Sequence, residues 1–444
     1  MPRIRSRLWR PNTHTCIAIA SVSATVDPHL MWHVTRGRRV AVSSFQSIIR
    51  RGFATSTTTM THDAKVDESS RIKVGQLDVP PRVLLGPGPS NAHPRVLQAL
   101  SMRQIGHLDP KFIDIMSENQ QLLRYAFQTK NKVTIPVSGT GSAAMEACFA
   151  NLVEPGDTVL VFTAGYFALR MIDMAERYGG KVAKVVKPWG SAFTLDEIRA
   201  GLEQYSPKIV GIVHADTSTG VLQPMEGVGE LVHKHNALLI LDTVTSLGGI
   251  PLFIDQWDVD AAYSGSQKCL SCPPGIAPVT LNDRAMQKVN NRKSKVANWY
   301  LDLTMVGKYW GSERTYHHTA PINMNYALRE ALRLVSEEGL EARWKRHADN
   351  AKLFAARLKD IGLECFIPEA TRLSTLISVT VPNGIDAKAA CKYCLDTFNV
   401  EIGGGLGELA GKIFRVGLMG FNSRRENIEL CCAALKAALD EQRK

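Results

Sequence analysis

The sequence predicts an α/β protein in which a large domain, built on a mostly parallel sheet covered by helices, precedes a smaller C-terminal α+β domain. Two observations carry this expectation. From about residue 130, short apolar runs alternate with amphipathic segments at helical spacing, the pattern of successive βα units. The residues directly after those runs are glycines, hydroxyls and isolated charges, the composition of a ligand site at the carboxyl edge of such a sheet.

The first strand, KVTIPVS, runs into GTGS and the helix AAMEACFANL. After the EPGD turn come the strand TVLVFTAG and the helix YFALRMIDMAERYG. KVAKVVK is the next strand, and TLDEIRAGLEQY is a helix in which Thr194 and Glu197 have capping-box spacing. KIVGIVHAD, the loop TSTGVLQP, the helix EGVGELVHKHN and the strand ALLILD then lead to VDAAYSGSQK. Nearer the C-terminus, LISVTVP, an amphipathic helix and KIFRVGLMG read as the small α+β domain. The expected division is a leader over 1–60, an arm over 61–81, a large domain over 82–338 and a small domain over 339–444.

At 444 residues the chain is long enough for two domains, and its formal charge of +11 is gathered at one end. Residues 1–60 hold nine arginines, no lysine and one acid, Asp27, a balance of +8 (9 minus 1) that leaves +3 (11 minus 8) for the body. A body without a basic stripe gives no reason to expect a nucleic-acid partner. No apolar run reaches the roughly 18 residues that span a bilayer, so no membrane association is expected. The leader contains VAVSSFQSIIRRGFATS, with Val42, Phe45, Ile48 and Ile49 at helical spacing and RRGF before ATS. These are features of a mitochondrial transit peptide, a disordered basic tail being the plainer alternative. The C-terminal EQRK is not a peroxisomal address of the Ser-Lys-Leu kind, and Met60 offers a second start. Nine cysteines without a secreted spacing point to free thiols in a reducing compartment. The CxxC pairs Cys269/Cys272 and Cys391/Cys394 lie in different kinds of segment, far apart, and no metal site is expected.

Read together, the strand ends are chemically coherent. SGTGS opens a helix, so its amides, its hydroxyls and the helix dipole suit a phosphate; alone, it reads better as a tight turn with no ligand. Asp242 ends an apolar strand, where a carboxylate needs either structural hydrogen bonds or a cation. Lys268 ends another, among small uncharged residues. It either snorkels to solvent or, desolvated, becomes a nucleophile for a carbonyl. Pyridoxal 5'-phosphate (PLP) satisfies all three: phosphate at Thr140 to Ser142, pyridinium nitrogen at Asp242, aldehyde at Lys268. Phe167 is placed to stack on the ring, with ordinary helix packing as the alternative. Arg415 sits between Phe414 and Val416, where a guanidinium needs a carboxylate, from a substrate or from its own domain.

From about residue 80 to the C-terminus, LLGPGPSN, LVEPGD, TSTGVLQP, LDTVTSLGG, YSGSQK, NWYLD, TYHHTAP and GGLGELAGKIFRVGLMG resemble the class V aminotransferases, specifically their alanine–glyoxylate aminotransferase branch. The resemblance implies the fold type I architecture of PLP-dependent transferases, a homodimer with shared active sites, and transfer of an amino group from L-alanine to glyoxylate. It makes Lys268 the Schiff-base lysine and Asp242 the partner of the ring nitrogen. Thr140, Gly141, Ser142 and Gln267 match phosphate-binding positions, and Gly86 lies where the backbone approaches the substrate. Phe167 matches a stacking position that is Trp in animal members, and Thr217 a hydroxyl near the ring that is Ser there. Tyr316 and Thr319 match residues that reach the phosphate from the neighbouring subunit, and Arg415 matches the arginine that binds the substrate carboxylate. The departures at Phe167 and Thr217 leave serine–glyoxylate or serine–pyruvate exchange open. Cysteine desulfurase shares the fold and the lysine but wants a reactive cysteine on a mobile loop, which Cys269 and Cys272 do not provide. A non-catalytic thiol or metal-binding protein on this scaffold would not need Lys268, Asp242 and Arg415 together.

Overall fold

The structure, a computed structural model, describes residues 66–444. The expected leader over 1–60 and Met60 therefore lie outside the described residues. Residues 66–81 are exposed throughout, with one short 3-10 turn at Glu68–Ser70 capped by Asp67.

Seven strands form the main sheet: β1 Val133–Ser138, β2 Thr158–Thr163, β3 Lys181–Val186, β4 Ile209–Val213, β5 Leu238–Asp242, β6 Ala261–Tyr263 and β7 Ile276–Leu281. Their spatial order is β1-β7-β6-β5-β4-β2-β3. The neighbours from β3 through β2, β4 and β5 to β6 pair in parallel, whereas β7 is antiparallel to both β6 and β1. Strands β1 to β6 thus point one way, and their carboxyl ends share one edge.

Alternation along each strand explains the layers. Val159 and Val161 of β2 pack into one apolar core with Phe149 and Met171, while Leu160 and Phe162 pack into the other with Ile198 and Leu202. The same split divides Leu238 and Ile240 of β5 from Leu239 and Leu241. Helices Gly141–Leu152 and Tyr166–Arg177 cover the first face, and Leu195–Tyr205 and Val228–Lys234 the second. The Thr194–Glu197 capping box forms as the sequence predicts. Edge strand β3 keeps Lys181 and Lys184 among its more accessible positions, which discourages pairing with another sheet.

The C-terminal part builds its own antiparallel sheet from β8 Leu376–Thr380, β9 Gly403–Gly404 and β10 Ile413–Gly417, in the order β8-β10-β9. Helices Leu340–Asp360, Ala387–Phe398 and Arg425–Gln442 pack against it through Phe354, Leu358, Cys394, Leu435 and Leu439. Val83–Leu84 pairs in parallel with Val400–Glu401 as a separate two-stranded sheet, and Leu85 enters the same core, so the chain entering the large domain is stitched to the C-terminal part. Residues Asp78–Lys444 form one compact unit.

Candidate active site

Asp242 is the last residue of β5 and is 2% exposed. Its Oδ1 accepts the Val244 amide at 2.8 Å, and its Oδ2 accepts the hydroxyl of Tyr263, the last residue of β6, at 2.9 Å. Burial pushes the carboxyl up to about 6; the Val244 amide and the Tyr263 hydroxyl oppose that rise. The Lys268 side chain is 8% exposed, and burial brings its amine down to about 8. Nζ donates to the Pro87 carbonyl. Gly88, at φ +109°, makes room for this approach, since a β-carbon there would lie 2.5 Å from Nζ. The turn that carries the lysine is pinned from below: Ser90 Oγ donates to the Lys268 carbonyl at 2.7 Å, and Arg343 Nη2 donates to the Cys269 carbonyl at 2.6 Å.

The helix Gly141–Leu152 starts directly after β1, with Thr140 as an N-cap that makes no side-chain capping bond. The amides of Gly141 and Ser142 have no hydrogen-bond partner among the described residues. Gln267 Oε1 is buried and likewise unpartnered. Phe167, half-buried, lies one residue into the helix that follows β2, with the Arg170 guanidinium 5.2 Å from its ring centroid. Gly165 precedes that helix because Asp216 Oδ2 would stand 2.0 Å from a β-carbon there. Thr217 is buried, its hydroxyl bonded to that of Thr245 and its carbonyl accepting Arg415 Nη1 at 3.0 Å. The next hydroxyl, of Ser218, donates to Asp216 Oδ1 at 2.5 Å and accepts the Tyr166 amide at 2.9 Å.

Arg415 lies on β10 and is 5% exposed, yet makes no ion pair among the described residues. Nε donates to the Gly404 carbonyl at 2.7 Å, and burial lowers its pKa. Gly86 is buried in the segment that joins these groups: the Gly417 amide donates to the Leu85 carbonyl at 2.8 Å, while Pro87 meets Lys268. Tyr316 and Thr319 stand apart from this buried set. Both are exposed on the loop between helices Leu303–Trp310 and Ile322–Glu338.

Residues 84–429 match the family described as aminotransferase class-V. The chain is a class V aminotransferase. It is 46% identical over 367 residues to an alanine–glyoxylate aminotransferase of Rattus norvegicus, covering 82% of this chain and 89% of the relative. A solved alanine–glyoxylate aminotransferase from Nostoc sp. superposes with a TM-score of 0.84 at 56% identity, over 85% of this chain and 100% of the other. A ureidoglycine–glyoxylate aminotransferase from Bacillus subtilis superposes with a TM-score of 0.82 at 39% identity, over 83% and 96%. The aminotransferase has the fold type I architecture and depends on PLP. Its residues fit that cofactor on three counts: a buried carboxylate lacking a cation, unpartnered amides at a helix start, and a buried lysine amine of lowered pKa.

Tyr263, Arg343 and Ser90 are the residues of the aminotransferase's site that sequence reasoning missed. A tyrosine closing the apolar run VDAAY was a usable signal, because a buried phenol needs a partner for its hydroxyl. Arg343 and Ser90 show no local signal, since the carbonyls they bind in the site, Gly248, Cys269 and Lys268, come from remote parts of the chain.

Proposed function

We propose that the aminotransferase moves the amino group of L-alanine to glyoxylate, giving pyruvate and glycine in two half-reactions with ping-pong kinetics. The observation that carries the proposal is Arg415: a buried guanidinium without a carboxylate partner, joined through Leu85–Gly88 to the lysine. Small α-amino and α-keto acids supply that carboxylate, and the names of the relatives support alanine and glyoxylate among them.

Each residue then has a task. Thr140, Gly141, Ser142 and Gln267 hold the phosphate, Phe167 stacks on the ring, and Thr217 lines the ring's surroundings through a backbone tied to Arg415. Asp242 pairs with the ring N–H, which relieves the cost of its own burial. Lys268 is the covalent anchor. Its free amine would take the substrate Cα proton as general base, a task suited to an amine near pKa 8. Bound here, PLP supplies an electron sink for the charge that the departing proton leaves behind. Arg415 grips the substrate carboxylate with two parallel hydrogen bonds and so fixes which Cα bond faces Lys268. Gly86 leaves the backbone clear for that approach. In a homodimer, Tyr316 and Thr319 reach the phosphate of the neighbouring subunit.

Serine as donor is the second reading, because Thr217 and Phe167 depart from the animal pattern and the Bacillus subtilis relative couples glyoxylate to a different amine. Sulfur chemistry finds no support: Cys269 and Cys272 are fully buried, and burial pushes the Cys269 thiol up to about 11 and that of Cys272 higher still. Borohydride reduction of the yellow protein, followed by peptide mapping, is expected to place a pyridoxyl group on Lys268. A label elsewhere, or a colourless protein, overturns the assignment, and a serine rate exceeding the alanine rate with glyoxylate overturns the donor.

A further inference from the structure

None of the side chains assigned to the phosphate is cationic, although a phosphomonoester carries about −1.5 to −2 charges at neutral pH. A helix start offers the equivalent of only about +0.5. Tyr316 and Thr319 of a neighbour add hydroxyls and no charge. The cradle as described is therefore short of positive charge.

Arg170 is placed to supply it. It is the fifth residue of helix Tyr166–Arg177, where a side chain leans back toward the helix N-terminus and hence toward the carboxyl edge of the sheet. Nη1 lies 3.0 Å from Ser142 Oγ, at the start of the neighbouring helix Gly141–Leu152. The guanidinium is steadied over two rings, 5.2 Å from the Phe167 centroid and 5.7 Å from that of Tyr166. It makes no ion pair among the described residues, so its charge is not spent on a carboxylate of the chain. Because Ser142 Oγ accepts from Arg170, the hydroxyl proton is free to point away from the arginine and to donate elsewhere.

We propose that Arg170 is a cofactor-binding residue: its guanidinium, beside Ser142 at the helix start, is the cationic partner of the PLP phosphate. The inference rests on reading Thr140–Ser142 as the phosphate site. The arginine reaches that site from the helix that also carries Phe167. One side chain therefore couples the grip on the phosphate to the position of the stacking ring.

The test compares PLP with pyridoxal, which has the aldehyde and the ring but no phosphate. Equilibrium binding of each to cofactor-stripped full-length protein is measured for the wild type, Arg170→Met and Arg170→Lys. In the wild type, PLP binds more tightly than pyridoxal. Arg170→Met is expected to weaken PLP about tenfold to a hundredfold, the effect of one charge-assisted hydrogen bond, and to leave pyridoxal unchanged. Arg170→Lys recovers part of the loss and, if Arg170→Met does not fold, is itself expected to weaken PLP and spare pyridoxal. Equal losses for both ligands would mean that Arg170 only packs against Phe167, and unchanged PLP binding would mean that it is idle; either overturns the proposal. A wild type that does not prefer PLP over pyridoxal would instead sink the reading of the phosphate site.

Discussion

At the scale of single residues, burial moves Asp242 and Lys268 each toward the neutral form, the carboxyl up to about 6 and the amine down to about 8. A carboxyl raised from 3.8 to about 6 costs the protein roughly 3 kcal/mol once it ionises without a cation. The sign is that of a raised folded-state pKa: the group is harmless below pH 4, and stability is lost as pH rises through 6. Asp242→Asn is therefore expected to raise the urea midpoint of the cofactor-free protein at pH 8, to lose that advantage by pH 4, and to abolish transamination. A variant less stable than the wild type at both pH values contradicts this account. Arg415→Lys keeps the charge but not the fork. It is expected to raise KM at least about tenfold for amino and oxo acids alike; steady-state kinetics with unchanged constants would remove Arg415 from the substrate site.

Among the elements, the helix Leu340–Asp360 acts on the site without touching its reactive atoms. Arg343, near its start and 6% exposed, donates to the Gly248 carbonyl beyond β5 at 2.8 Å and to the Cys269 carbonyl beside Lys268 at 2.6 Å. It also pairs with Glu338 at 2.7 Å. Arg343→Met is expected to cost about 3 kcal/mol, because it leaves the buried Gly248 and Cys269 carbonyls unpaired and leaves Glu338 with Arg346 alone. A melting temperature of the holoenzyme within a degree of the wild type would refute the clamp. Sequence reasoning found the parallel strands because continuous apolar runs such as TVLVFT have few other uses, and it found Asp242 and Lys268 because a charge ending such a run demands a reason. Strand β7 escaped it. Pro278 lies in its middle, facing Pro136 of β1, and a proline within a central strand argues against a strand when read alone. The hairpin of Ala215–Asp216 with Val221–Leu222 was also missed: the first pair was read as the end of the strand KIVGIVHAD and the second as loop, two residues being too short for a period. Arg343 was illegible for another reason: its partner Cys269 is 74 positions away, and only the fold brings the two together.

For the whole molecule, the exposed aromatic residues suggest where a second copy sits. Trp299 is 59% exposed and stacked on His317 at 4.5 Å, and Tyr316 is 58% exposed. We expect a dimer by light scattering at micromolar concentration, and Trp299→Asp to raise the monomer fraction and the rate of PLP loss together. A monomeric wild type with full activity would overturn both the dimer and the shared site. We propose, from composition alone, that residues 1–60 are a mitochondrial transit peptide; a mature N-terminus downstream of the leader is then expected, and an intact Met1 on the purified mature protein refutes processing. The pairing of Val83–Leu84 with Val400–Glu401, and of Leu85 with Gly417, has a consequence for how the enzyme is made. Ser90 ties this segment to Lys268 from within the large domain, but the Leu85–Gly417 bond on its other side forms only after Gly417 has left the ribosome, so a nascent chain holds every cofactor residue of the main sheet before it can close the site fully around the lysine. Premature stop codons in the last tenth of the message should thus yield protein that fails to retain PLP even though its main sheet is intact.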